Sequence, residues 1–231
     1  MKRLYIVHGW TFTTDYWQPL LDELKSRGYE PVMLNVPGLT KPSKRAWDID
    51  DYVNWLHEQL KGVSKPVLLA HSNGGRIALN FASRQPNKLG QLILIDSAGV
   101  WHNEPLLRLK RSLLRNVAQV GKKVVPVEAG RKLFYKAIRA KDYYQAPPNM
   151  RQTMQNMLES DKRLDIRAIT TPTSLIWGSV DKATPLSDAK AMQTQIAGSK
   201  LEVIDGAAHA PYYTHPKQTA DAIEAALRGQ A

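Results

Sequence analysis

Six short apolar runs punctuate the chain: Leu4–Val7, Pro31–Leu34, Pro66–Ala70, Leu92–Ile95, Ser174–Trp177 and Leu201–Ile204. Each is continuous rather than alternating and is bounded by Gly, Pro, Asp or Asn, the pattern of strands buried on both faces. Between them apolar residues recur every three or four positions. Tyr16–Arg27 places Tyr16, Leu20, Leu21 and Leu24 on one helical face. Ile49–Leu60 does the same with Tyr52, Val53, Leu56 and Leu60, and Asp48 stands where an N-cap belongs. Gly75–Ser83, Pro185–Ile196 and Pro216–Leu227 predict three more helices, the last two opening with Pro at the first position, behind Thr184 and His215. Strand and helix in alternation predict a parallel sheet with right-handed crossovers.

One connection breaks the rhythm. Between Ile95 and Ser174 lie 78 residues, where a crossover needs about a dozen. A structureless loop of that length does not suit a compact domain, so the surplus reads as an inserted helical unit. Leu106, Leu109, Leu113, Val117 and Val120 form one stripe, with Arg108, Arg111 and Arg115 on the opposite side. Leu133, Phe134, Ala137 and Ile138 mark a second helix. Met150, Met154, Met157 and Leu158 mark a third, after Pro147 and Pro148. The division that follows is a core of residues 1–100 and 166–231 with an insertion at 101–165. No internal repeat or low-complexity tract is present.

Composition changes this picture little. Of 231 residues, 43% are hydrophobic and 23% charged, which is ordinary for a globular domain. The absence of cysteine removes disulfides, thiolate metal sites and thiol nucleophiles. Met1-Lys2-Arg3 and four apolar residues do not make a secretory signal, and no apolar run approaches the roughly 18 residues of a membrane span. The expectation is a soluble, cytoplasmic, unprocessed protein. The six histidines offer no pair at ligand spacing with a third partner, so neither metal nor cofactor is expected. The net charge of +11 is high, and residues 101–165 carry 14 Lys or Arg against 6 Asp or Glu. A solvated helix face accounts for the stripe of Arg108, Arg111 and Arg115; the sharper reading is a docking surface for an acidic protein. No nucleic-acid motif accompanies the charge.

Candidate chemistry begins at Ala70-His71-Ser72-Asn73-Gly74, where a buried strand runs through a serine into a helix. A serine in such a tight turn exposes its hydroxyl above the sheet, and the residues two positions away on each side must be small because backbones crowd there. A serine nucleophile needs a base, and the base needs an acid to orient it. Asp181 follows one later strand and His209 follows the last, in that order. Asp96, at the end of another strand, is a second candidate acid. Acyl transfer also needs donors for a developing oxyanion. The backbone N–H of Asn73, at a helix N-terminus, is one, and that of Trp10 in His8-Gly9-Trp10 is the simplest second.

These residues, with Asn35-Val36-Pro37-Gly38, Trp177-Gly178 and Gly206, resemble the α/β-hydrolase superfamily over roughly residues 1–99 and 168–231. The resemblance implies a mostly parallel sheet with a helical cap over the site. It makes Ser72 the nucleophile, Asp181 the acid, His209 the base, and the Trp10 and Asn73 amides the oxyanion hole. Alanine replaces the usual glycine at position 70. The chain opens at the third strand of that pattern, so an N-terminal hairpin is expected to be missing and about six strands to remain. Serine at the nucleophile position points away from dehalogenases and epoxide hydrolases, which place aspartate there. It points toward carboxylesterases acting on small or medium acyl groups, with thioesterases and carbon–carbon bond hydrolases as alternatives. A ligand-binding receptor is the non-enzyme alternative. The His-Gly-Trp opening is similar to that of the biotin-pathway carrier-protein methyl esterases, which would make an acyl group on an acidic carrier protein the substrate.

Overall fold

The computed structural model describes residues 2–100 and 146–229. β1 (Lys2–Val7), α1 (Gln18–Ser26), β2 (Tyr29–Met33), α2 (Ile49–Gln59), β3 (Val67–His71), α3 (Asn73–Arg84) and β4 (Gln91–Ile95) form the first half. α4 (Pro148–Ser160), β5 (Thr173–Gly178), α5 (Leu186–Gln195), β6 (Lys200–Ile204), the short α6 (Pro211–Thr214) and α7 (Pro216–Arg228) follow. The six strands make one parallel sheet in the order β2-β1-β3-β4-β5-β6. No described helix is long and apolar enough to cross a membrane.

Burial follows strand position. β3, β4 and β5 are buried at every residue. The outer strands depart from the expectation of two buried faces: β2 is half-buried throughout, and β6 exposes Lys200, Glu202 and Val203. Their apolar residues face neighbours on one side only, as an edge position requires. One apolar layer lies between the sheet and α2, α3 and α5, around Tyr52, Phe81, Leu92 and Trp177. The second lies under α1 and α7, around Leu20, Leu24, Ile93 and Ile223. Arg27 joins α1 to α7 by ion pairs with Asp221 and Glu224.

Local chemistry sets the helix ends. Asp48 caps α2 by accepting the Asp51 N–H at 2.9 Å, and Asp51 accepts the Asp48 N–H at 3.1 Å. This reciprocal box satisfies two orphan donors. α1 starts two residues later than its apolar spacing predicts: a 3-10 turn over Asp15–Trp17 comes first, which buries Trp17 and leaves Tyr16 exposed. Pro185 sits at the N-cap of α5 rather than inside its first turn, because its extended backbone angle keeps it outside the helix.

The expected helices between Trp101 and Gln145 lie outside the described residues. The third is α4, where Met150 and Met157 are buried but Leu158 is exposed. Leu158 follows Met157 directly and so points away from the face that packs. That face lies on α2 and the loop before it: Trp47 N donates to Thr153 Oγ1 at 2.9 Å, Asn149 Nδ2 to Ser43 O at 2.9 Å and Asn156 Nδ2 to Trp47 O at 3.1 Å. Met150 lies over Gly38, whose φ of +82° is left-handed and whose missing side chain leaves room for the thioether.

Gly38→Ala should therefore destabilise by about 1–3 kcal/mol, from backbone strain and overpacking together. Met150→Ala should cost less in the Gly38→Ala background than in the wild type, because the two share one space. Urea unfolding of the four proteins measures the coupling, and strict additivity would mean that α4 does not seat on this loop.

Candidate active site

β3 ends at His71, and α3 begins at Asn73. Ser72 between them has φ 51° and ψ −120°, outside the comfortable regions for a residue with a Cβ. Main-chain bonds hold it there. Ser72 N donates to Ile95 O at 3.2 Å, while its own carbonyl accepts from Arg76 N at 3.2 Å and Ala98 N at 3.0 Å. The helix behind it approaches β1 so closely that a Cβ on Gly74 would run into the carbonyls of Val7 and His8. A Cβ on Gly9 would sit 3.0 Å from the Ser72 Cβ. Gly74 is required by close backbone approach, and Gly9 by the side chains of His71 and Ser72.

The Ser72 hydroxyl lies 2.9 Å from His209 Nε2, and His209 Nδ1 lies 2.7 Å from Asp181 Oδ2. A carboxylate accepts only, so Nδ1 carries the proton and Nε2 is free to accept from the hydroxyl. The structure thus brings together Ser72, Asp181 and His209, the first and last of which are 137 residues apart in sequence. Asp181 is fully enclosed at its side chain. Burial pushes its carboxyl up, but the bond to His209, the charge of that ring, Thr184 Oγ1 and the Ala183 N–H together outweigh burial and hold it below the usual carboxylate range. An ionised Asp181 can fix the tautomer of His209 and stabilise its protonated form.

The Asn73 amide opens α3, and the Trp10 amide belongs to the loop after β1. Neither is taken by an acceptor among the described residues. The Trp10 loop is held from below. His8 is buried; its Nδ1 donates to Gly9 O at 2.8 Å, and its Nε2 lies 2.8 Å from Thr40 Oγ1. The arrangement has the parts for acyl transfer: a hydroxyl, a base, an oriented acid and two amides.

The profile of the alpha/beta hydrolase family matches residues 4–222. The chain belongs to the α/β-hydrolase family. It is similar to the biotin biosynthesis bifunctional protein BioHC of Teredinibacter turnerae, with 26% identity over 99% of this chain but only 45% of that protein's length. It is also similar to the pimeloyl-[acyl-carrier protein] methyl ester esterase of Legionella pneumophila, with 24% identity over 92% of this chain and 89% of that one. Among solved structures, a thermophilic esterase from Thermogutta terrifontis shares the fold at TM-score 0.69 and 21% identity, covering 100% of this chain and 90% of that chain.

Three polar groups of the hydrolase around the site were not singled out for these contacts by sequence. Thr184 Oγ1 lies 2.8 Å from Asp181 Oδ2 and 3.2 Å from His209 Nδ1. Its signal was its place three residues after Asp181, where a hydroxyl can close a turn. His71 is buried, and its Nε2 donates to the His209 carbonyl at 2.7 Å. Burial, then the neighbouring His209 ring, holds it neutral, well below the usual histidine range. Asp96 does not take the place of Asp181: its Oδ1 accepts the Gly178 N–H at 2.9 Å. Burial first, then the charge of Asp181 and a side-chain contact with it, push its carboxyl up to about 8. His71, Asp96 and His209 are close enough to offer ligand atoms to one ion. However, Asp96 is protonated at neutral pH, and both nitrogens of His209 are engaged, so the donor set does not suit a cation.

The folded protein keeps a proton on Asp96 that the unfolded chain releases near pH 4. Wild-type stability should therefore fall as pH rises from about 4 to about 8, by at most about 1.4 kcal/mol per unit from this group. Asp96→Asn keeps an acceptor for Gly178 and has no proton to lose. Its stability advantage over wild type should grow across that window and level off above it. Thermal unfolding of both proteins at intervals from pH 5 to 9 measures this, and parallel curves would mean that Asp96 is ionised in the fold.

Proposed function

We propose that this hydrolase cleaves carboxylic esters of small to medium acyl groups through an acyl-enzyme on Ser72. The observation that carries the reading is the hydrogen-bonded line from the Ser72 hydroxyl through His209 to Asp181, beside two amides that no described residue engages. In acylation Ser72 Oγ attacks the ester carbonyl carbon as His209 Nε2 takes the hydroxyl proton. The carbonyl oxygen becomes an oxyanion and receives the Trp10 and Asn73 N–H groups. His209 then gives its proton to the departing alkoxide. A water molecule repeats the sequence on the acyl-enzyme: His209 deprotonates it, the acid leaves and the proton returns to Ser72. Asp181 stays ionised throughout. In this reading residues 1–100 and 166–231 are the catalytic core, and residues 101–165 form a cap over Ser72. Insertion after β4 supports that placement, since the connection emerges at the sheet's carboxyl edge, where open α/β sheets bind ligands.

Ser72→Ala or His209→Ala should reduce hydrolysis of a p-nitrophenyl ester by roughly 10³-fold or more, because such groups act as a unit. A fluorophosphonate should label wild type and not Ser72→Ala, and EDTA should leave the rate unchanged. Turnover by Ser72→Ala near the wild-type rate would overturn the reading.

The similarity to the Legionella esterase favours a second, narrower substrate: an acyl ester carried on an acidic carrier protein. The basic excess of residues 101–165 supports it. Replacing Arg108, Arg111 and Arg115 with Gln should then weaken turnover of a carrier-bound ester, most at low ionic strength, while small-ester kinetics stay unchanged. Wild-type rates on both substrates would leave the arginines as a solvated face, and equal loss on both would make them supports of the cap.

A further inference from the structure

We propose that Arg76 is a positioning residue: it ties the side chain of Asn73 to Asp161 and so holds the Asn73 amide in line for the oxyanion. The inference rests on the esterase reading above and adds a device that sets one of its two donors.

Arg76 lies in the first turn of α3, and the side chains of Arg76 and Asp161 are only 7% and 8% exposed. Its guanidinium is engaged on three nitrogens. Nε donates to Asp161 Oδ1 at 2.7 Å, Nη2 to Asp161 Oδ2 at 2.9 Å and Nη1 to Asn73 Oδ1 at 2.6 Å. The first two form a fork-to-fork pair, whose geometry is fixed in both position and plane. Asp161 directly follows α4, so the pair connects the segment returning from the insertion to the helix that starts at the nucleophile.

Two physical arguments separate positioning from stability. A cation in the first turn of a helix opposes the helix dipole. A buried ion pair often contributes no more than an apolar pair of the same volume, because desolvation offsets the attraction. Both argue against the pair's being there to raise stability. What it does supply is a fixed point for Asn73. The Asn73 amide hangs between the Cα atoms of Ser72 and Asn73, and Ser72 is already held by its main-chain bonds. With Oδ1 of Asn73 held at 2.6 Å, a shift of the Asn73 Cα must pull on the buried guanidinium and Asp161. The place of the amide is thereby coupled to the end of α4.

Asn73→Ala tests this without breaking the ion pair, and Arg76→Met removes both links. Wild type and Ser72→Ala are treated first with a fluorophosphonate. No labelling of wild type would sink the esterase reading and this inference with it. Active sites are then titrated, and kcat and KM for a p-nitrophenyl ester are taken per titrated site. The Ki of a trifluoromethyl ketone is measured beside them, because its hemiketal oxyanion needs the same amides as the transition state. Asn73→Ala should raise Ki by about tenfold or more and lower kcat in parallel, with KM within about twofold of wild type. Arg76→Met should do the same where it folds; where it does not, Asn73→Ala decides alone. Wild-type Ki and kcat in Asn73→Ala would overturn the proposal and leave the cluster a structural contact, whatever Arg76→Met does to the melting temperature.

Discussion

Ser72 is held at φ 51°, a conformation that a residue with a side chain keeps only when its surroundings leave no alternative. Such strain costs about 1–3 kcal/mol, and the two strands that flank β3 combine to impose it. β4 supplies the Ile95 carbonyl, the residues just past β4 supply the Ala98 N–H, and β1 presses its end against Gly74. Ala70 and Gly75 are small for the same reason: Ala70 is buried in β3 beside β1, and a Cβ on Gly75 would collide with Ser97. The raised hydroxyl is therefore a property of the parallel sheet. A turn with the same sequence and no such neighbours would relax.

The same enclosure sorts the ionisable groups near the serine. Asp181 and Asp96 are both buried aspartates at strand ends, yet one is held ionised and the other protonated. The difference lies in donors. Asp181 receives N–H groups from Ala183 and Thr184, a hydroxyl from Thr184 and the ring of His209. Asp96 receives the Gly178 N–H and faces a second carboxylate. Like charges that close do not both ionise readily. His71, next to Ser72, is neutral for a parallel reason. The site so holds a fixed negative charge where an imidazolium would form.

Most of this is legible in the sequence because the signals are local and redundant. Continuous apolar runs marked the central strands, since β3, β4 and β5 are covered on both faces. The order serine, aspartate, histidine past the ends of β3, β5 and β6 placed the three residues at one edge. The misses were set by tertiary context. Tyr16 carries the right spacing, but the chain turns before the helix begins and Trp17 fills the space. β2 and β6 read like central strands because an apolar run does not disclose which strand lacks a neighbour. Arg76 gave no signal in the sequence, since its partners Asn73 and Asp161 are 3 and 85 positions away.

β4 and β5 are adjacent, paired from Leu92↔Thr173 to Ile95↔Ile176. The two strands are parallel, so the long connection leaves at the carboxyl edge of the sheet and returns to its amino edge one strand over, and the ladder fixes both of its ends. For such a closed excursion the entropy of joining the ends grows only with the logarithm of length, about 0.6 kcal/mol for each doubling. Residues can be gained or lost there with almost no consequence for strand register. The strand register that strains the serine is therefore indifferent to how long that connection is.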